Sequence, residues 1–294
     1  MGKNIEIIKA TTYGFCGNEG NFGVSGAIKI AQKAAKENPN QVYVLGELVH
    51  NTHVVAKLKK EGIKTASSLD EIPEGAVMVI KAHGLGPAVL EEARKKKIKL
   101  IDATCPMVKA VHEIAKKYVS EGKKIIYVAS EKKHEEAVGV WGEAPDFIKV
   151  VTLKELIGLK IQDEEGTVVL TQTTLSLLET QIAFEELQKR YPKLKIQPHI
   201  CMATTMRQQA VMELAKKVDL VIIVGSKSSS NSNRLREVAE SCQVKAKIVD
   251  KIDEVKQEWF RGVKKIGISS GASTPDEILE AVIIRIKELI KSGG

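Results

Sequence analysis

Residues 220–242, LVIIVGSKSSSNSNRLREVAESC, begin with five consecutive apolar residues, Leu220–Val224. A run of glycine, serine and asparagine follows, and the segment ends in Arg234–Cys242, whose apolar residues recur at spacings of three and four. A short continuous apolar run is typical of a strand buried on both faces, and the later spacing is typical of an amphipathic helix. The segment therefore predicts a strand, a polar turn and a helix, which is the repeating unit of a parallel α/β sheet.

The same alternation extends along the whole chain. The predicted strands are Val42–Leu45, Val77–Ile80, Ile125–Val128, Val168–Leu170, Leu220–Val224 and Ile266–Ile268. The predicted helices are Gly26–Lys36, Pro87–Lys97, Val108–Glu121, Leu178–Arg190, Arg234–Cys242 and Glu277–Lys291. Strands that alternate with helices indicate an α/β protein with mostly parallel sheets.

Composition limits the possible class of protein and partner. The 294 residues are 43% hydrophobic and 28% charged, and no apolar run reaches the ~20 residues of a membrane span. No signal-peptide pattern is seen at the start, so we expect a cytoplasmic protein that does not enter a membrane. The net charge of +8 is typical of a lysine-rich solvated surface or of a face that binds an acidic partner or anionic substrate. Nucleic acid is not expected, because basic residues are dispersed and only 4% of residues are aromatic.

Three of the four cysteines have similar surroundings. Cys16, Cys105 and Cys201 are 89 and 96 positions apart, and each lies at a turn before a helical stretch. This pattern predicts three similar small α/β domains, 1–104, 105–200 and 201–294, arranged with pseudo-threefold symmetry so that the three sulfurs converge. Chance spacing of three unrelated core cysteines is the alternative, and spacing alone leaves it open. Cys242 lies late in a helix and is interpreted as a packing residue.

Polar motifs follow the predicted strands, where ligands bind in open α/β sheets. Hydroxyls, amides, histidines and helix N-termini in these motifs favour a cradle for phosphate groups. Each motif alone is also compatible with a structural histidine, a turn or a helix cap. The motifs contain His50, Ala82-His83-Gly84, His134-Glu135-Glu136, Thr171-Gln172-Thr173-Thr174, Ser228–Asn233 and Gly271-Ala272-Ser273.

These motifs, together with Gly14-Phe15-Cys16, Asp102-Ala103-Thr104-Cys105-Pro106 and Cys201-Met202-Ala203-Thr204-Thr205, occur in an order that resembles the 4-hydroxy-3-methylbut-2-enyl diphosphate reductase family (LytB/IspH). The resemblance runs from about residue 14 to the C-terminus. It implies three α/β domains around a central [4Fe–4S] cluster with one iron that lacks a protein ligand. It also implies the last step of the methylerythritol phosphate route to isoprenoids, in which an allylic hydroxyl is removed to give isopentenyl and dimethylallyl diphosphate.

The resemblance further implies a role for individual residues. Glu136 supplies protons, Thr173 lies near the substrate hydroxyl, and a ferredoxin or flavodoxin type of protein donates electrons. The implied cluster ligands are Cys16, Cys105 and Cys201. The implied diphosphate-binding residues are His50, His83, His134, Ser229, Ser230, Asn231 and Ser273.

The sequence departs from the family pattern at three places. Six residues, Gly17 to Phe22, separate Cys16 from Gly23, which is about five more than the family has. Glu135 replaces a proline between His134 and Glu136, leaving two adjacent carboxylates, and Met206 replaces an asparagine.

Two other functions are compatible with the same motifs. One is a related iron–sulfur reductase or hydro-lyase that acts on another hydroxylated anion. The other is a non-catalytic iron–sulfur sensor, which would not need Glu136, Thr173 and the serine motif together. The sequence leaves open the identity of the electron donor, the oligomeric state and the product ratio.

Overall fold

The protein, described here from a computed structural model, is defined over residues 5–16 and 23–292; the insertion from Gly17 to Phe22 lies outside these ranges. Its strands are β1 Glu6–Lys9, β2 Val42–Leu45, β3 Ile63–Ala66, β4 Val77–Ile80, β5 Lys99–Asp102, β6 Lys124–Ala129, β7 Ile148–Thr152, β8 Thr167–Thr171, β9 Lys195–Gln197, β10 Leu220–Val224, β11 Lys245–Val249 and β12 Lys265–Ser270. Its α-helices are α1 Gly23–Glu37, α2 Thr52–Lys60, α3 Pro87–Lys95, α4 Pro106–Ser120, α5 Glu135–Trp141, α6 Leu153–Gly158, α7 Leu177–Arg190, α8 Met202–Ala215, α9 Ser230–Ser241 and α10 Asp276–Ser292.

The strands form three four-stranded sheets, and every strand pairing is parallel in the ranges described. The sheet orders are β3-β2-β4-β5, β7-β6-β8-β9 and β11-β10-β12-β1. The three orders share one pattern: the first strand lies between the second and the third, and a fourth strand follows the third. In the last sheet this fourth place is taken by β1, from the start of the chain. The prediction of an α/β protein with parallel sheets is confirmed.

The two middle strands of each sheet are the most buried, because helices cover both faces there. In β10, all five residues are buried. Val221 and Ile223 face a core that includes Leu214 and Leu235 from α8 and α9, whereas Ile222 packs on the other face in a core with residues of α10. Alternate side chains of one strand thus enter two different cores.

Two compact units make up the chain and are described separately. The first contains the chain up to Cys16, residues His50–Val54 and the chain from Met202 onward, with β1 and β10–β12; the second contains the sheets of β2–β5 and β6–β9. The division at 104/105 and 200/201 stays a prediction. β1 and Cys16 fall in its first range, yet they belong to the unit that contains β10–β12. In the part of the chain that the structure defines, no helix has the length and apolar character needed to cross a membrane.

Candidate active site

The six polar motifs follow the six middle strands of the three sheets. In the sheets of β2–β5 and β6–β9 the chain turns to one side after the first strand and to the other side after the third, so the crevice between these two strands is a topological switch point. In the third sheet β11 lies beside β10 on one side, and β1 lies beside β12 on the other. Ligands bind at the carboxyl ends of strands at such points. The motifs after β4, β6 and β8 belong to one unit, and those after β10 and β12 belong to the other.

The buried carboxyl of Glu136 is the central group of the unit with sheets β2–β5 and β6–β9. Glu136 lies in the first turn of α5 and is 1% exposed. The hydroxyl of Thr173, just after β8, donates a hydrogen bond of 2.7 Å to Oε1, and the Thr173 N–H lies 3.1 Å from both carboxyl oxygens. Burial raises the pKa of Glu136 to about 7, and the Thr173 hydrogen bonds oppose this rise. The group can therefore hold a transferable proton at neutral pH.

His134 is held at the start of the same helix. It is the N-cap of α5, where its Nδ1 accepts a hydrogen bond of 3.2 Å from the Glu136 N–H, and its Nε2 lies 3.2 Å from the Gln172 side-chain nitrogen. The ring centroid of His83 lies 6.1 Å from that of His134, in an edge-to-face arrangement. The structure thus brings together two of the histidines predicted to bind diphosphate.

The two adjacent carboxylates have different partners. Glu135 forms an ion pair with Lys81, whose side chain is 9% exposed. The other carboxylate oxygen of Glu135, Oε2, lies 3.1 Å from Nδ1 of His83, which is also an ion-pair distance. Glu136 instead contacts Thr173. Glu135, which replaces the proline of the family pattern, therefore leaves Glu136 in contact with Thr173 and adds a carboxylate beside His83.

Backbone hydrogen bonds hold two of the predicted ligand cysteines next to these residues. The N–H of Cys105 donates to the carbonyl of Ala82, adjacent to His83, at 3.0 Å. The N–H of Cys201 donates to the carbonyl of Thr173, also at 3.0 Å. Each cysteine is thereby fixed beside a predicted substrate-binding residue of the same unit.

In the other unit, Cys16 follows a tightly held turn. Its N–H donates to the carbonyl of Ala272 at 3.0 Å, next to Ser273, and the Ser273 hydroxyl donates to the His50 carbonyl at 3.1 Å. Gly14 has a φ of +75°, and a Cβ at this position would lie 2.6 Å from Oδ1 of Asp276. Only glycine therefore fits this turn without displacing its neighbours.

The serine and asparagine residues after β10 line the start of α9. Ser229 is the N-cap, and its hydroxyl accepts a hydrogen bond from the Ser232 N–H at 3.3 Å. Ser230 is half-buried, whereas Asn231 is 6% exposed, and both amide atoms of the Asn231 side chain lack a hydrogen-bond partner among the described residues. A buried amide with no partner is costly, so this side chain is suited to a polar ligand.

The cysteine donor set fits an iron–sulfur cluster. Cys105 is the N-cap of α4, and Cys201 directly precedes α8. Helix N-termini stabilise negative charge, which suits thiolate ligands. Cys16 lies in one unit, Cys105 and Cys201 in the other. Cys242 packs against the core of β10 and α9, so its predicted role as a packing residue is confirmed.

Two site residues were missed from the sequence. Lys81 lies directly before the Ala82-His83-Gly84 motif and reads there as the end of a strand, and Gln172 lies inside the Thr171–Thr174 motif without an assigned role. The clue to Lys81 in the sequence was Glu135, because a carboxylate introduced near a binding site is stabilised by a nearby cation.

Comparison with known proteins identifies the family. The model of the family described as "LytB protein" matches residues 7–287. A 4-hydroxy-3-methylbut-2-enyl diphosphate reductase from Haemophilus influenzae is 39% identical over 97% of this chain and 90% of its own length. One from Rhodococcus opacus is 41% identical over 96% of this chain and 83% of its own length.

Solved structures agree with this result. The E-1-hydroxy-2-methyl-but-2-enyl-4-diphosphate reductase of Plasmodium falciparum superposes with a TM-score of 0.90 at 33% identity, over 96% of this chain and 87% of that chain. A structure of (E)-4-hydroxy-3-methyl-but-2-enyl diphosphate reductase, described as the terminal enzyme of the non-mevalonate pathway, gives a TM-score of 0.66 at 38% identity, over 97% and 99% of the two chains. The resemblance inferred from the motifs is confirmed, as is the assignment to the reductases, and the chain belongs to the LytB family.

Proposed function

We propose that this chain reduces 4-hydroxy-3-methylbut-2-enyl diphosphate to isopentenyl and dimethylallyl diphosphate, as the terminal step of the non-mevalonate pathway. The observation that carries the proposal is the buried Glu136 carboxyl, hydrogen-bonded to Thr173, in a chain whose relatives have this activity in their names. A non-catalytic binding protein would have no need to hold a protonated carboxyl in this position.

The proposed diphosphate-binding residues are described unit by unit. His83 and His134 offer ring nitrogens that can donate hydrogen bonds to phosphate oxygens. The remaining binding residues are His50, Ser229, Ser230, Asn231 and Ser273. The unpartnered amide of Asn231 supports this role, because a phosphate oxygen would accept its N–H bonds.

The cofactor in this proposal is a [4Fe–4S] cluster held by Cys16, Cys105 and Cys201. When bound, a cluster with three thiolate ligands supplies electrons and, at the iron without a protein ligand, a Lewis acid. The backbone hydrogen bonds of Cys105 and Cys201 to Ala82 and Thr173 support a cluster beside the substrate-binding residues.

The chain's own residues handle the proton. The Thr173 hydroxyl, 2.7 Å from Oε1 of Glu136, accepts a proton from the protonated carboxyl as it passes its own to the substrate hydroxyl, which leaves as water. Two electrons from the proposed electron donor and a second proton, which Glu136 delivers after it has been protonated again, complete the reduction at either end of the allylic system and give the two products. Burial of both side chains excludes solvent protons from the site.

The electron donor in this proposal is an acidic protein of the ferredoxin or flavodoxin type, and the location is cytoplasmic. The net charge of +8 supports an acidic partner, because opposite charge speeds encounter between proteins.

Glu136→Gln tests the proposal, because it keeps the shape of the side chain and removes its transferable proton. The cluster-loaded variant should bind the diphosphate almost normally and turn it over at least about a hundredfold more slowly. Glu131→Gln, an exposed position in the preceding loop, is the matched control and should have wild-type turnover. If the wild type converts a different hydroxylated anion faster than this diphosphate, the proposed substrate is wrong.

A further inference from the structure

A second buried ionic pair lies beneath helix α5, away from Thr173. His112 on α4 places its ring Nδ1 2.7 Å from Oε1 of Glu143, which follows the end of α5. The two side chains are 9% and 8% exposed, and the half-exposed Lys116 lies 3.6 Å from the other oxygen of Glu143. A buried ion pair is seldom more stabilising than apolar packing, so its presence under the helix that carries Glu136 calls for a functional reason.

The ring of His112 lies against two glycines that adjoin the active site. A Cβ built on Gly84 or on Gly139 would lie 3.3 Å from His112 Nε2. Gly84 follows His83 in sequence, and Gly139 lies one turn after Glu136 on α5. Nε2 is buried and has no hydrogen-bond partner among the described residues. Both glycines leave room for the ring, which is therefore packed between the loop of His83 and the helix of Glu136.

Close backbone contact strengthens this arrangement. A Cβ on Gly142 would lie 3.3 Å from the Cα of Gly86, so the end of α5 rests directly on the loop after β4. Helix α4 begins directly after Cys105, a proposed cluster ligand, and carries His112 about two turns later. The His112–Glu143 pair therefore links α4 to the end of α5, the helix that carries Glu136.

The electrostatic environment of Glu136 includes His112. Burial raises the pKa of Glu136, and the Thr173 hydrogen bonds and the His112 charge both lower it. Tyr127 on β6 is fully buried and interacts electrostatically with Glu136. Burial is the larger cause of the raised pKa of the Tyr127 phenol, and the Glu136 charge is the smaller one. His134 accepts a hydrogen bond from the Glu136 N–H. Ile148, a residue of β7 in the same hydrophobic core as Tyr127, is apolar and carries no charge.

We propose that His112, held by Glu143, is a positioning residue for the proton donor: it fixes helix α5 on α4 and acts electrostatically on Glu136. The inference rests on the proposed function, because it assumes that Glu136 donates a proton during turnover.

The test uses cluster-loaded enzyme and the variants His112→Gln, Glu143→Gln and the double variant. Turnover with the diphosphate is measured against pH. Removing the His112 charge favours the protonated form of Glu136, so the alkaline limb, where Glu136 loses its proton, should move up by about half a pH unit or more. Maximal turnover should fall by about twofold to threefold, because a weaker acid donates its proton more slowly. Glu143→Gln should move the limb in the same direction, and the double variant no further than the larger single change.

The matched control is His53→Gln, because His53 bonds the Asp250 carbonyl and does not act on Glu136. Its alkaline limb should stay at the wild-type position. If both His112→Gln and Glu143→Gln turned over more slowly but kept the alkaline limb of the pH profile at the wild-type position, the pair would have only a structural role and the proposal would be overturned.

A second measurement does not depend on turnover. The infrared band of the protonated Glu136 carboxyl, assigned by its loss in Glu136→Gln, is titrated in the loaded protein. An upward shift of its midpoint in His112→Gln supports the inference even if the diphosphate proves not to be the substrate, whereas an unchanged midpoint refutes it. Failure of the wild type to reduce the diphosphate would count against the proposed function alone.

Discussion

The buried carboxyl of Glu136 makes the stability of the protein depend on pH in a defined direction. Burial raises its pKa from an ordinary 4.5 to about 7 in the folded protein. A raised carboxyl pKa means that the folded state favours the protonated form. The stabilising contribution is therefore complete below pH 4.5 and is lost as pH rises through 7.

The magnitude follows from the two pKa values. At 1.36 kcal/mol per pH unit, the difference corresponds to about 3 kcal/mol of unfolding free energy between pH 4.5 and pH 8. A neutral amide in Glu136→Gln has no such dependence, so the variant should gain stability relative to the wild type as pH rises. For a chain of this length, about 3 kcal/mol is worth roughly 5 °C in Tm.

The assay compares thermal unfolding of wild type and Glu136→Gln between pH 5 and pH 8, at matched cluster content. The difference in Tm between the two proteins should change by roughly 5 °C in favour of the variant across this range. Glu131→Gln, in an exposed position, should track the wild type at every pH. A Tm difference between Glu136→Gln and wild type that stays constant from pH 5 to pH 8 would refute the assignment of a protonated, buried Glu136.

Three further predictions concern the ligands, the charge beside His83 and the electron donor. Loss of most cluster absorbance and bound iron is expected from a single change to serine at any of Cys16, Cys105 and Cys201, whereas Cys242→Ser should retain both; the reverse result would reassign the ligands. Glu135→Gln removes the carboxylate that pairs with the buried Lys81, so it should lower Tm while slowing turnover far less than Glu136→Gln does. If Glu135→Gln were instead slower than Glu136→Gln, Glu135 would be the proton donor. Reduction by an acidic electron carrier should slow as salt is raised, because screening shortens the Debye length to about 10 Å at 0.1 M, and a rate indifferent to salt would contradict an electrostatic docking face.

The middle strands could be predicted from the sequence, but the outer strands could not. Val42–Leu45, Val77–Ile80 and Leu220–Val224 match β2, β4 and β10 residue for residue, because strands buried on both faces are continuous apolar runs. The outer strands β5 and β9 are short and begin with lysine, since one side of each meets solvent. Their periodicity is too weak to separate them from a loop.

The bounds of helix α8 were not predicted, for a related reason, although a helical stretch was expected after Cys201. Arg207 and Gln208 are buried in the middle of this helix, so polar residues occupy positions that a simple amphipathic pattern reserves for apolar ones. Arg207 donates to the carbonyls of Gly14 and Ala203, a function that depends on where the chain folds in space. α5 was missed because it has only seven residues.

The site residues were predicted by motif, whereas their partners needed the structure. Glu136 and Thr173 are separated by 37 positions, and only their hydrogen bond reveals that they act together. The same holds for His112 and Glu143, since neither lies in a motif that the sequence distinguished.

The pairing of β1 with β12 has a consequence for the order in which the protein is made. β1 is made long before β12, the strand with which it pairs: Glu6 pairs with Lys265 and Lys9 with Ile268. The sheets of β2–β5 and β6–β9 are each built from strands that are consecutive in the chain, so they can close during synthesis, whereas the sheet containing β1 needs a contact between distant segments and closes late. Until then β1 is a strand without its neighbour, and Cys16 lacks the Ala272 carbonyl that fixes its backbone. One of the three proposed cluster ligands is therefore not fixed in place until β12 and the loop after it have been made.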